Sequence, residues 1–161
     1  MIVSFSPIIN SSSKVLILGT MPGIKSLKEN EYYAHKQNAF WSIIYKLFDK
    51  QLSENYNDRK KFILTNKIAL WDTLKLCVRE GSLDSKIKEE QANDIDLLLK
   101  ENPLINSIIF NGKASEKYYN KYLKQQESIS YYTLPSTSPA NARKTFNEKY
   151  AEWAIIKELV K

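Results

Sequence analysis

Cysteine, histidine, arginine and glycine are all scarce in this chain, and each shortage removes a class of function. Its 161 residues hold one cysteine, one histidine and four glycines. The lone Cys77 cannot build an intrachain disulfide framework and fits a reducing cytoplasm. Flanked by Leu76 and Val78, it reads as a packed thiol rather than a nucleophile. No cluster of metal-ligand residue types and no Ser-His-Asp pattern occurs, so neither metal chemistry nor a hydrolase triad is expected. The turn Gly19-Thr-Met-Pro-Gly23 lacks the G-x-G-x-x-G dinucleotide fingerprint, and there is no phosphate-cradling lysine motif. No apolar run approaches the length of a membrane span, and the N-terminal MIVSFSPIIN has no basic region of the secretory kind.

What is present is positive charge and enough apolar residue for a core. The net charge of +6 invites an acidic partner such as nucleic acid. Only three of the 24 basic residues are arginine (Arg59, Arg79 and Arg143), and the excess of Lys, Asn, Ile and Tyr has the look of genome-wide compositional drift. The charge therefore permits nucleic-acid binding without demonstrating it. With 43 % hydrophobic residues the chain is expected to fold, as a single domain over 1–161.

Hydrophobic periodicity orders the elements. Lys14–Leu18 reads as a buried strand ending at Gly19, and Ser26-Leu-Lys-Glu29 has the spacing of a capping box opening a short helical turn. From Ala39, the residues Phe40, Ile44, Leu47 and Phe48 share one helix face. Tyr56–Asn66 reads as a second helix, Ile68–Trp71 as a buried strand, and Lys75–Asp84 as a loop around Gly81. A helix over Gln91–Glu101 stops at Asn102-Pro103; Ile105–Phe110 is a strand and Lys113–Lys124 a helix. Ser130–Leu134 is a fourth strand, and a last helix runs over about Asn147–Val160. Strands alternating with helices predict an α/β fold with a mainly parallel sheet covered on both faces. Ligands of such sheets bind beyond the carboxyl ends of the strands. The segments after the four strands, namely Gly19–Gly23, Trp71-Asp72, Asn111-Gly112 and Pro135–Pro139, are therefore expected to meet in one cleft.

Several residues in these segments carry two readings. The Gly19–Gly23 turn allows a ligand close to backbone, or is merely a tight connection. Asn38, just before a periodic helix, is a favoured N-cap, yet its amide is also suited to holding a water or a ligand. His35 is a candidate proton-transfer group or a structural donor. Tyr32, Tyr33 and Phe40 are candidates to stack on a planar ligand, with core packing the alternative for Phe40. Asp72 is an expensive carboxylate unless it reaches the cleft or finds partners. Asn111 is a ligand contact or a turn residue. Ser136, Thr137, Ser138, Asn141 and Arg143 form a hydroxyl- and amide-rich loop ending in a base, suited to DNA phosphates or to an ordinary capped turn.

The blocks GTMPGIKSL, EYYAHKQNAFW, IALWDTL with CVREGSLDSKI, IIFNGKA and LPSTSPANA resemble those of the DNA-deoxyinosine (hypoxanthine-DNA) glycosylases, members of the uracil-DNA glycosylase superfamily. The resemblance runs from about Val15 to Trp153. It implies a three-layer α/β/α sandwich around a central four-stranded parallel sheet. It also implies hydrolytic release of a deaminated base from DNA without metal or redox cofactor. On this resemblance Gly19, Thr20, Met21 and Pro22 border the base, Tyr33 stacks on it, Asp72 or Asn111 reads its polar edge, and Pro139–Arg143 probe the DNA. In the related mismatch-specific thymine and uracil enzymes a catalytic Asn stands where this chain has Met21, whose thioether cannot orient a water. The hypoxanthine branch instead uses the Asn of a His-Pro-Arg-Asn-x-Phe-Trp block. Here that block is His35-Lys-Gln-Asn-Ala-Phe-Trp41, which makes Asn38 the matching catalytic residue, with Lys36 and Gln37 departing from the usual Pro-Arg. No lysine is evident in the cleft to form a Schiff base, so no lyase step is expected. A small basic domain of this kind is expected to act as a monomer. A catalytically inactive nucleic-acid-binding module of the same fold, and an unrelated small-molecule enzyme on a similar sheet, are the competing readings.

Overall fold

Aliphatic residues that alternate between two buried faces set up the centre of the fold. In the computed structural model, which describes residues 1–161, strand β2 (Val15–Gly19) is buried along its whole length. Its odd residues Val15 and Ile17 pack into one cluster, and its even residues Leu16 and Leu18 into another. Strand β3 (Ile68–Asp72), strand β6 (Ser107–Asn111) and strand β7 (Ser130–Leu134) run parallel to it in the order β3-β2-β6-β7. The sheet is the predicted four-stranded parallel one. Because β2 pairs with β3 on one side and β6 on the other, the strand order reverses beside β2, where a crevice opens at the carboxyl edge.

Helices cover both faces, giving the three-layer sandwich. On the first face lie α2 (Phe40–Leu47), α3 (Tyr56–Thr65), α6 (Phe146–Trp153) and α7 (Ile156–Leu159), which bury Ile43, Ile44, Ile63, Trp153 and Ile156 against Val15, Ile17 and Leu70. On the second face, α4 (Ile95–Glu101) and α5 (Lys113–Tyr122) bury Leu98, Leu99 and Tyr119 against Leu16, Leu18 and Phe110.

The structure departs from the periodicity reading in three places. The first residues of the expected loop Lys75–Asp84 and the start of the expected helix at Gln91 instead belong to an antiparallel sheet, while the part of the loop around Gly81 remains irregular. The sheet comprises β1 (Ile2–Val3), β4 (Leu74–Val78) and β5 (Lys88–Ala92) in the order β1-β4-β5. Strand β5 reads KEEQA, so it has no apolar alternation to announce it. Backbone pairing to β4 makes it a strand, and α4 starts only at Ile95, capped by Asp94 accepting from the Leu97 N–H at 3.1 Å. Helix α1 (Ile24–Glu29) begins two residues before the expected cap. Ser26 is inside the helix, and its Oγ accepts from the Ala34 N–H at 3.2 Å, pinning the following loop instead. The last helix is broken at Ala154–Ile155 into α6 and α7, with no Gly or Pro to signal the break.

Candidate active site

The four segments that follow the parallel strands do converge. Gly19–Gly23, Asp72, Asn111 and Ser136–Asn141 line one cleft of about 600 Å³, joined by Tyr32, Tyr33, His35 and Asn38 from the loop between α1 and α2. Its opposite wall is one that sequence reasoning missed. Ser82, Leu83, Asp84 and Ser85 line it, carried there by the segment leaving β4. The available signal was one of only three arginines standing five residues before an aspartate around Gly81. Arg79 donates to the carbonyls of Gly81 (2.9 Å) and Pro22, while Ser82 Oγ accepts from the Ile24 N–H at 2.9 Å. The wall is thereby tied to the first turn.

The first turn is held from beneath. Ser115, in the first turn of α5, donates to the carbonyls of Leu18 (2.8 Å) and Gly19 (3.1 Å) and lies 3.0 Å from Thr73 Oγ1. Met21 is 7 % exposed and packs with Leu74, Cys77 and Tyr118, so its thioether fills the base of the cleft. Gly19 is required by what stands over it: a Cβ there would lie 2.6 Å from Asp72 Oδ1 and 3.2 Å from Tyr33 Oη. Asp72 is 4 % exposed, and its Oδ2, like Tyr33 Oη, is buried with no hydrogen-bond partner. Burial, together with repulsion from Asp84 and opposed by Arg79, pushes the Asp72 carboxyl up to about 7. Burial also raises Asp84, an effect eased by its hydrogen bond with the Thr20 side chain and by Arg79. Tyr33 is held far above the ordinary phenol range by burial and by Asp72, with Asn111 acting the other way.

The aromatic wall separates the stacking candidates. Tyr33 adopts a left-handed backbone (φ 55°) and lines the cleft with its ring stacked on Phe40 at 4.2 Å between centroids. Phe40 is fully buried and does not border the cleft; it is a platform for Tyr33, not a ligand contact. Tyr32 is 4 % exposed and its hydroxyl donates to the Ser6 carbonyl at 2.8 Å, so it is largely core. The N-cap of α2 is Ala39 and not the expected Asn38, which stands one residue earlier; Asn38 lines the cleft, and its Oδ1 accepts from the Phe40 N–H at 3.0 Å, fixing the side chain at the entrance to the helix. His35 is exposed at the rim, with Nδ1 accepting from the Gln37 N–H at 3.1 Å.

The family model that matches this chain covers residues 6–159 and describes the uracil DNA glycosylase superfamily. The chain belongs to that superfamily. It is 37 % identical over 153 residues to a protein of Methanosarcina barkeri named hypoxanthine DNA glycosylase, covering 93 % of this chain and 94 % of the relative. A Methanosarcina acetivorans protein of the same name is 33 % identical over 153 residues, covering 94 % and 95 %. The solution NMR structure of a Methanosarcina acetivorans protein, described as a candidate uracil DNA glycosylase, superimposes with a TM-score of 0.85. Its sequence identity is 30 %, over 99 % of this chain and 98 % of the other. The chain is a DNA glycosylase by family.

Within that family frame, the DNA-side loop differs from the expectation in one respect. Thr137 is 1 % exposed; its backbone N–H and Oγ1 pair with the Asn111 amide, each at 3.0 Å, and its carbonyl accepts from the Ala39 N–H. It is spent inside the protein and cannot meet a phosphate. Asn111, 8 % exposed at the end of β6, is likewise a clasp and not a turn residue. Ser136 and Ser138 each accept from the backbone N–H two residues on, and Asn141 Nδ2 donates to the Ser136 carbonyl at 3.1 Å, so the loop is stiffened by its own side chains. Arg143 is exposed beyond it. The expectation of a cleft without lysine fails at Lys25, which lines the cleft with its ammonium paired to Glu29 at 3.0 Å. No group of three or more His, Cys, Asp or Glu side chains is placed to hold a metal ion, and no helix is long and apolar enough to cross a membrane.

Proposed function

We propose that this glycosylase releases hypoxanthine from DNA, with uracil and xanthine as further substrates, by hydrolysing the N-glycosidic bond and leaving an abasic site. The observation that carries the reading is Asn38. It borders the cleft in the block matched to the hypoxanthine branch, while the first-turn position that holds the amide in the mismatch-specific branch is Met21, packed among apolar side chains. The two Methanosarcina relatives bearing the hypoxanthine name support the choice of base.

A base inside a duplex cannot be reached, so the nucleotide rotates into the cleft at a cost of roughly a few kcal/mol, less where pairing is already poor. Tyr33, backed by Phe40, stacks on the base, and the Gly19–Pro22 backbone and Asn111 border its edge. As the C1′–N bond breaks, the sugar becomes oxocarbenium-like and the DNA phosphates stabilise its charge. Asn38 keeps one Oδ1 lone pair on Phe40 and uses the other to orient the attacking water, a gain that comes from geometry and not from proton transfer. Ser136, Ser138, Asn141 and Arg143 hold the DNA, and Pro139–Arg143 fill the gap left by the flipped nucleotide. Lys25 is the lysine that lines the cleft, partly exposed and paired with Glu29; on this reading hydrolysis alone releases the base and no strand cleavage is expected to follow.

The test is a single-turnover assay on duplexes carrying one hypoxanthine, uracil or xanthine, read before and after alkali. Release is expected to need alkali for strand cleavage. Asn38→Ser, which keeps a side-chain acceptor for the Phe40 N–H but is too short to hold the water, is expected to lose at least about 100-fold in rate with its fold intact. A wild type that binds DNA and releases no base would overturn the proposal in favour of a binding module, and an active Asn38→Ser would remove the role given to Asn38.

A further inference from the structure

The cleft contains two polar groups that the mechanism above leaves without employment. Asp72 Oδ2 and Tyr33 Oη are both buried and both lack a hydrogen-bond partner, and both crowd the same Gly19 backbone. Native proteins rarely keep buried polar atoms unsatisfied unless something else completes them. The neighbouring cation does not complete Asp72. Arg79 uses Nε and Nη2 on the Gly81 and Pro22 carbonyls, leaves Nη1 buried without a partner, and forms no ion pair with the carboxyl. The main chain of Asp72, by contrast, is fixed: its carbonyl accepts from Asn93 Nδ2 at 2.8 Å, so the side chain is held at the end of β3 facing the cleft. The groups around it are all accounted for. Asp84 and Arg79 come from the segment after β4, Tyr32 and Tyr33 from the loop before α2, and Asn111 from β6. Asp84 and Arg79 act in opposite directions on it, the one raising and the other lowering its pKa.

We propose that Asp72 is a catalytic hydrogen-bond donor that works as the neutral acid, its O–H pointing at the departing base. This rests on the glycosylase reading above and adds a requirement to it. When the glycosidic bond breaks, its electron pair stays with the base, and negative charge spreads over the ring and its carbonyl oxygen. A neutral carboxylic acid in contact with that charge stabilises it. An ionised carboxylate in the same dry site would repel it, and would have no cation paired with it to cancel the effect. The burial that makes ionisation difficult is therefore what makes Asp72 useful, and it holds the carboxyl in the acid form up to about pH 7.

The experiment compares single-turnover excision of hypoxanthine between pH 5.5 and 8.5, at saturating enzyme so that DNA binding does not enter, for wild type, Asp72→Asn, Asp72→Ala and His35→Gln. The wild-type rate is expected to fall tenfold per pH unit above about 7. Asp72→Asn, a neutral donor of the same shape, is expected to be flat across the range. Asp72→Ala is expected to lose at least tenfold at every pH. His35 is the other group whose protonation could favour an anionic leaving base, so His35→Gln is expected to retain the alkaline fall. A fall that survives in Asp72→Asn, or that vanishes in His35→Gln, overturns the proposal. A carbon-13 NMR titration of the Asp72 carboxyl in the free protein supplies a readout that does not depend on activity. A midpoint in the ordinary carboxylate range overturns the role of Asp72 even if hypoxanthine is released. Absence of release at any pH overturns the glycosylase reading and this role with it, whatever the titration shows.

Discussion

At the scale of single residues, Gly19 carries more than its size suggests. The parallel strand β2 ends there, and Asp72 and Tyr33 lean over its Cα from two other elements, at distances that leave no volume for a methyl group. Gly19→Ala is therefore expected to push the Asp72 carboxyl or the Tyr33 ring out of place. A loss of roughly 100-fold in single-turnover rate is expected, since small displacements of reacting groups carry costs of that order. The accompanying stability loss is expected to be about 1–3 kcal/mol, read by denaturant unfolding. The site was only partly legible at this scale. Asn38 reads as a cap by pattern and as the proposed catalyst by motif; the cap falls one residue later, at Ala39, and the Asn38 side chain borders the cleft while holding the Phe40 N–H. Thr137 was misread because a hydroxyl in a serine-rich loop announces nothing about burial; only its pairing with Asn111 shows that it faces inward. Asp84 and Arg79 lie in a block that resembles the family, yet carry no expected role, because the segment bearing them has no periodicity to place it.

At the scale of elements, the loop from Pro135 to Asn141 is held by four residues drawn from three parts of the fold. Asn111 from β6 and Ala39 before α2 grip Thr137, and Trp153 from α6 donates to the Pro135 carbonyl at 2.9 Å. Lys149, also on α6 and 5 % exposed, donates to the Ser138 carbonyl at 3.3 Å. Burial lowers the Lys149 pKa, which means the site disfavours its charge: the folded state has the weaker hold on that proton, so Lys149 costs stability at neutral pH. Lys149→Met keeps the apolar stem and removes the charge. It is expected to raise the melting temperature by about 2–4 °C while weakening affinity for duplex DNA several-fold, because the Ser138 carbonyl loses its anchor. Melting curves and fluorescence anisotropy on a labelled duplex would check both; unchanged affinity would show that the other three anchors suffice. The parallel strands and their helices were legible because each buries a periodic apolar face. The antiparallel sheet was not, because β5 has no hydrophobic side to bury and depends on its partner β4.

At the scale of the whole molecule, one buried carboxyl bends the pH dependence of stability. The Asp72 acid is retained in the fold up to about 7, whereas an unfolded chain ionises it near its ordinary value of 3.8. The folded state therefore binds more protons between these limits. The contribution of Asp72 is fully present below about pH 4 and is lost as pH rises through about 7. The span corresponds to a contribution of order 4 kcal/mol. Burial raises Asp84 in the same direction. Glu29, Glu90 and Glu148 are shifted downward by their hydrogen bonds and act below pH 5, outside the range of interest. The wild type is expected to melt at a higher temperature at pH 5 than at pH 8, and Asp72→Asn is expected to close most of that gap, as measured by calorimetry at both pH values. Equal pH sensitivity in the two proteins would mean that the carboxyl ionises without penalty.

The two walls of the cleft belong to different scaffolds. The loop proposed to hold DNA grows from the parallel sheet and its helices, whereas residues 82–85 are carried by the segment leaving the small antiparallel sheet and are tied to the first turn through Ser82 and Arg79. The two walls therefore have separate supports. On the glycosylase reading proposed above, substitutions at Ser82, Leu83 or Ser85 are expected to change which base the cleft accepts while leaving affinity for duplex DNA nearly unchanged.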